Sequence, residues 1–214
     1  MYLEVTTTAR AARRTQEQRS AETRARLLDA TIDCLVRYGY AGTTTPRVAE
    51  MAGVTRGAQV HHFGSKNDLV IAALQHLAAK RAAAAVGNVA DLTTTEDPIG
   101  SLLDLLWDVH QGPMFIAAVE LWVAGRTEPA LRSEVAKFES IVASSLTSAV
   151  SEFVPEAIHK PTLDFVYTAM DALRGILIAS FVDTDQSRAR RRWDRAAMSL
   201  RKLAEPLVEV WAAS

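Results

Sequence analysis

Apolar residues recur every three to four positions almost from end to end of this 214-residue chain, and no stretch alternates apolar with polar residues while gathering β-branched ones. That period belongs to the α-helix, in which residues three and four apart share a face, and not to the strand, in which every second residue does. The chain is therefore predicted to be all-α, with about nine helices. Hydrophobic residues make up 49% and charged residues 23%, a composition that buries a core without staples. The single cysteine, Cys34, excludes an internal disulfide and reads as a small buried hydrophobe.

The longest apolar stretch, Met114 to Ala124 with Glu120 inside it, falls well short of the roughly 20 residues that span a bilayer. Met1 to Ser20 is rich in Thr and Arg and lacks an apolar signal core. A cytoplasmic protein with no membrane partner is expected. Charge is unevenly placed: residues 1–66 carry ten Lys/Arg against six Asp/Glu, and residues 67–214 carry fourteen against nineteen. A basic front on an acidic body suits contact with a polyanion by one part only.

Stop and start signals divide the chain into a flexible arm (1–15), a first helical domain (16–66) and a larger second one (67–214). The first helix is predicted from about Glu17 to Tyr38, with Gly39 placed to stop it. Thr45-Pro46 caps and opens a second, Thr55 caps a third that reaches Phe63, and Ser65-Lys66-Asn67-Asp68 opens a long fourth that reaches about Gly87. A break is expected over Asn88 to Pro98, then helices at about 98–111, 113–125, 128–153, 162–182 and 187–212, the last bent at Pro206.

The segment Thr44 to Phe63 reads as helix, glycine turn, helix. Ala49 and Ala52 let two short helices approach and Gly53 sets the turn, so the second helix can enter a major groove with its first turn. Thr55, Arg56, Gly57 and Gln59 would face the bases: Arg56 a guanine edge or a phosphate, Gln59 an adenine, Gly57 allowing close approach. Thr44, Thr45 and Arg47 are placed beside phosphates.

Gly39 with Thr43-Thr44-Thr45, then Val48-Ala49, Ala52-Gly53-Val54, Gly57-Ala58, His61-His62-Phe63, Lys66 and Asp68-Leu69 form a pattern that resembles the TetR family of transcriptional regulators over about residues 20–70. The resemblance implies a dimer on double-stranded operator DNA, a phosphate contact from Lys66, and a fourth helix that relays the binding of a small-molecule effector. The sequence departs from the family at Gln59-Val60, where a tyrosine commonly meets the DNA. Val60 cannot donate a hydrogen bond, and His61, His62 or Gln59 is expected to supply that contact.

The second domain carries the other candidates. Glu120 sits among Phe115, Ile116, Val119, Leu121, Trp122 and Val123, and a buried carboxylate needs a partner: either Arg126 or Arg174, or a ligand. Trp107, His110, Phe115, Glu120, Trp122, Met170 and Arg174 are the candidate effector pocket, although each aromatic by itself is more often plain core. The helix at 162–182 has two apolar faces. Phe165, Ala169, Ala172, Ile176 and Ala179, with Leu200, Leu203 and Leu207 of the last helix, either pack within one chain or meet a second copy; a homodimer is expected. The arginine run Arg188, Arg190, Arg191, Arg192 and Arg195 reads as a solvated loop or as a dimer salt link to Asp183, Asp185 or Asp194, with a second DNA contact as the alternative.

No metal, cofactor or catalytic residue is expected. His61 and His62 point about 100° apart on a helix, and Asp104, Asp108 and His110 read as a solvated acidic face beside the alternative of acid–base chemistry in a helical-pocket enzyme. The expected function is that of a ligand-responsive DNA-binding regulator, a repressor released from a near-palindromic operator, with an activator of the same fold as the rival.

Overall fold

The computed structural model describes residues 16–92, 95–185 and 187–212, with 80–92 in backbone only. The predicted arm, residues 1–15, lies outside the described residues. Those described form nine α-helices and no strand: α1 (Gln16–Gly42), α2 (Thr45–Met51), α3 (Arg56–His62), α4 (Lys66–Leu92), α5 (Pro98–Val109), α6 (Pro113–Gly125), α7 (Pro129–Phe153), α8 (His159–Ala179) and α9 (Ser187–Ala212), with a single 3-10 turn at Glu156–Ile158.

Helix ends follow local chemistry. Gly39 breaks α1 with φ +66° and ψ 178°, a conformation essentially confined to glycine, so the regular first helix ends where glycine was expected to end it. Helix α4 outlasts its predicted stop at Gly87: the preceding run of alanines has the highest helix propensity, which offsets the cost of one interior glycine. Helix α8 starts earlier than position 162 because Pro161 falls in its first turn, where a missing N–H leaves nothing unpaired. Pro206 stands inside an unbroken α9.

Two hydrophobic cores hold the molecule together. The first joins Leu27, Leu35, Val48, Phe63, Leu69, Leu74 and Leu77 from α1–α4 to Ala117, Leu121 and Ala124 of α6 and Phe138 of α7. The second joins Leu103, Phe115, Val119, Phe165, Ala169, Leu173, Trp193 and Leu200 from α5, α6, α8 and α9. Helix α6 is therefore a shared wall, with 117, 121 and 124 facing one core and 115 and 119 facing the other. Cys34 is buried in the first core, its Sγ 3.2 Å from Met51 Sδ, and burial raises its pKa.

The predicted partner face on α8 needs correction. Phe165 (7% exposed) and Ala169 (0%) belong to the chain's own second core, as does Leu200, because α5 and α9 cover that side of α8. Ala172 and Ile176 are half-buried and Ala179 is exposed. Leu203 is 66% exposed and lines a groove between α8 and α9 with Pro161, Phe165, Pro206 and half-buried Leu207. The arginine run is tied to its own chain: Arg188 to Asp183 at 3.0 Å, Arg190 to Asp194 at 2.7 Å and Asp104 at 3.0 Å, and Arg191 to Asp185 at 2.6 Å. Among the described residues no helix is long and apolar enough to cross a membrane.

Candidate DNA-binding surface and inner pocket

Helices α2 and α3 each begin under a threonine. The Thr44 hydroxyl accepts the N–H of Arg47 at 3.4 Å, and the Thr55 hydroxyl accepts that of Ala58 at 3.2 Å, each cap stabilising its helix by about 1 kcal/mol. The cap of α2 is thus Thr44, one residue before the predicted Thr45, and Pro46 keeps its place in the first turn. Between the helices Gly53 adopts φ +60°, and the Val54 N–H returns to the Ala49 carbonyl at 3.0 Å. Ala49 and Ala52 are buried at the crossing.

Arg26 holds this turn from α1. Its Nη2 donates to the carbonyl of Gly53 at 2.9 Å and to that of Ala52, the groups a helix C-terminus leaves unpaired and partly negative. Sequence reasoning missed Arg26, because nothing in its neighbourhood distinguishes it from a solvated arginine. Arg24, two residues earlier on α1, places its guanidinium 5.2 Å from the Phe63 ring centre.

The outward side of α3 consists of Arg56, Gly57, Val60 (54% exposed) and His61, with Thr55 exposed at its head and His62 half-buried. Burial lowers the pKa of His62, helped by the nearby charges of His61 and Arg24. Gln59 is a correction: it is 1% exposed, and its Nε2 donates to the Phe63 carbonyl at 2.6 Å. Positions 59 and 63 share a helix face, and the Phe63 ring belongs to the first core, so Gln59 faces inward with it.

Arg47 and Lys66 are also drawn inward, against expectation. Arg47 donates to the Gly42 carbonyl, with its guanidinium 4.3 Å from the Tyr38 ring centre. Lys66 donates to the Tyr40 carbonyl at 2.6 Å and lies 3.9 Å from the Tyr40 ring centre. Burial lowers its pKa, against the opposing pull of Glu128. Arg47 fastens the end of α1 to α2 and Lys66 fastens it to α4, while Thr44 remains exposed and Thr45 half-buried.

In the body, four of the pocket candidates meet. Phe115 stands 5.4 Å from the His110 ring and 6.3 Å from that of Trp122, and Phe181 closes the group at 6.4 Å. The Arg174 guanidinium covers Trp122 at 4.9 Å, and its buried Nε has no acceptor among the described residues. His110 Nδ1 donates to the Leu106 carbonyl at 2.8 Å, and Trp122 Nε1 donates to Glu139 at 2.8 Å. Met170 is buried in the same core and Trp107 is half-buried under Arg190 at 5.1 Å. Glu139 and Phe181 were not anticipated: one is an ordinary surface-type residue on α7, the other lies past the end of α8.

Glu120 is elsewhere. It bonds neither Arg126 nor Arg174; its Oε2 accepts the backbone N–H of Tyr40 at 3.1 Å. Of the acidic pair, Asp104 is engaged structurally with Arg190, and among the described residues no group of three His, Cys, Asp or Glu is arranged to hold a metal ion.

Known proteins resemble the chain in sequence and fold. Residues 27–73 match the family described as bacterial regulatory proteins, tetR family. The HTH-type transcriptional regulator CymR of Pseudomonas putida is 29% identical over 190 residues, which covers 84% of this chain and 89% of that protein. A solved member of the TetR family from Streptomyces coelicolor is 25% identical with a TM-score of 0.58, covering 81% of this chain and 97% of its own. The multidrug binding protein EbrR in complex with ethidium, also 25% identical, has a TM-score of 0.58 over 85% of this chain and 98% of its own.

Proposed function

The chain belongs to the TetR family, a DNA-binding transcriptional regulator and not an enzyme, and from that premise we propose that it is a homodimeric repressor released from a near-palindromic operator by a small molecule. The observation that carries the reading is the outward face of α3: a capped, clamped helix that offers Arg56, Gly57, Val60 and His61 together. Arg56 reads a guanine or holds a phosphate, Gly57 lets the backbone approach, and Val60 packs on apolar groove surface such as a thymine methyl. With Gln59 turned inward, His61 takes the polar contact assigned to that position. Thr44 and Thr55 use their hydroxyls as acceptors for the caps and keep the O–H to donate to phosphates.

Exposed Leu203 and Ala179 with half-buried Ala172, Ile176 and Leu207 are the remaining parts of the expected dimer face, and a second copy seated there sets two α3 helices about 34–36 Å apart, one turn of DNA. The effector site is the group around Phe115, Trp122 and Arg174, apolar walls with few polar anchors. That EbrR, a protein of similar fold, is solved with ethidium supports a ligand in this body. An effector acts only through unequal affinity for the two states, so operator must weaken effector binding as much as effector weakens operator binding.

Selection of genomic fragments by the purified full-length chain at near-physiological salt tests the reading. A palindromic enriched site, with base preference relaxed by Arg56→Ala, is expected; retention that is blind to sequence and merely salt-sensitive refutes it.

A further inference from the structure

We propose that Glu120 is a positioning residue for the DNA-binding surface, acting through the main chain of Tyr40; this rests on the regulator reading above. The peptide units around Tyr40 tie three helices at one point. The Tyr40 N–H donates to Glu120 of α6 at 3.1 Å, its carbonyl accepts Lys66 of α4 at 2.6 Å, and its hydroxyl reaches Asn67 of α4 at 3.3 Å. The fit is close on the glycine side as well. A Cβ on Gly39 would stand 2.9 Å from the Glu120 Oε2, a distance that real side chains do not tolerate.

From that point the chain runs to α2 without slack. The Thr43 N–H and hydroxyl both donate to the Gly39 carbonyl, at 3.1 and 2.8 Å, and the next residue, Thr44, is the cap of α2. A displacement at Gly39-Tyr40 is therefore passed to α2 and, through the buried α2–α3 crossing, to the outward face of α3. At the other end, Glu120 sits on the helix that walls off both cores. Phe115 and Val119 of α6 belong to the second core, so a change in what fills that core moves the carboxylate. A hydrogen bond of 3.1 Å does not survive a shift of about 1 Å. The charged acceptor makes it stronger than a neutral bond, and hence a tie whose loss is felt.

The test uses three variants of the full-length chain: Glu120→Ala, Glu120→Gln and Val119→Met, with DNA affinity by fluorescence anisotropy on an enriched fragment, amide hydrogen exchange, and thermal melting. Glu120→Gln keeps an acceptor and should bind within about threefold of wild type. Glu120→Ala should lose at least tenfold in affinity for the enriched fragment, keep its affinity for random DNA, and exchange faster over residues 39–44. Val119→Met leaves the carboxylate in place but overfills the side of α6 that faces the second core; it should change both readouts in the same direction, and the double variant with Glu120→Ala should bind no more weakly than the weaker single one. Unchanged affinity and exchange in Glu120→Ala, equal losses in Glu120→Gln and Glu120→Ala, or additive losses in the double variant overturn the proposal. If the wild type enriches no fragment, the regulator reading fails by itself, and the exchange rates over residues 39–44 still report whether Glu120 holds Tyr40.

Discussion

Replacing Gly39 by alanine tests the most constrained backbone position in the head. At φ +66° and ψ 178° an L-residue is strained by about 1–3 kcal/mol. The added methyl would also lie 2.9 Å from the Glu120 Oε2, so the carboxylate, the far end of a flexible side chain, must shift slightly and loosen its bond to the Tyr40 N–H. Losing a hydrogen bond to a charged group costs about 1.5–3 kcal/mol when complete, and less here because Glu120 is only half-buried. Together the two effects amount to about 1–4 kcal/mol, or a fall in melting temperature of roughly 2–15 °C for a chain of this size. Urea unfolding followed by circular dichroism measures it directly. In a Glu120→Ala background the clash disappears, and the cost of Gly39→Ala should shrink toward the strain alone. A loss below about 1 kcal/mol, or an identical loss in both backgrounds, would falsify the reasoning.

Two further outcomes follow from the structure. Gln59→Leu removes the buried donor to the Phe63 carbonyl while keeping an inward side chain of similar size, so stability should fall by about 1–2 kcal/mol with base preference unchanged; altered preference in a binding assay on randomised sites would place Gln59 in the groove after all. The second concerns acid. Asp97 has its pKa lowered by the Arg201 hydrogen bond first and the Gly100 N–H second, so its contribution to stability is present above the unfolded value of 3.8 and is lost only as pH falls through the lower folded value. Both groups are about half exposed, which makes the effect small. Arg201→Gln should therefore lose a little stability at neutral pH and show a shallower decline below pH 3.8 in a series of melts; a decline as steep as that of wild type would show that the pair is not coupled to folding.

The pattern of helices was legible because it is local information. Thr55 caps α3 and Ser65 receives the Asp68 N–H at the head of α4, contacts made within three residues, and the apolar period states which face each helix will bury. The glycine at position 53 was readable for the same reason, since a tight turn demands its conformation wherever the rest of the chain lies. The outward residues Arg56, Gly57 and His61 were legible as a group once α3 was recognised. Gln59 was misplaced because its burial depends on the core beneath α3, to which Phe63 is committed and which takes residues from helices as distant as α6 and α7.

What the sequence by itself determined, then, is the succession of helices, their caps and breaks, and the exposed first turn of α3, all of which follow from propensity and period over a few residues. Only the tertiary structure decided where the charged side chains are spent. Arg26 closes the turn 26 residues ahead of it, Lys66 reaches back to Tyr40, and Glu120, a pocket candidate by its apolar neighbours, meets an amide 80 residues away. The partner of a long charged side chain is set by which backbone groups remain unpaired and out of water when the helices come together, and that is a property of the packed molecule.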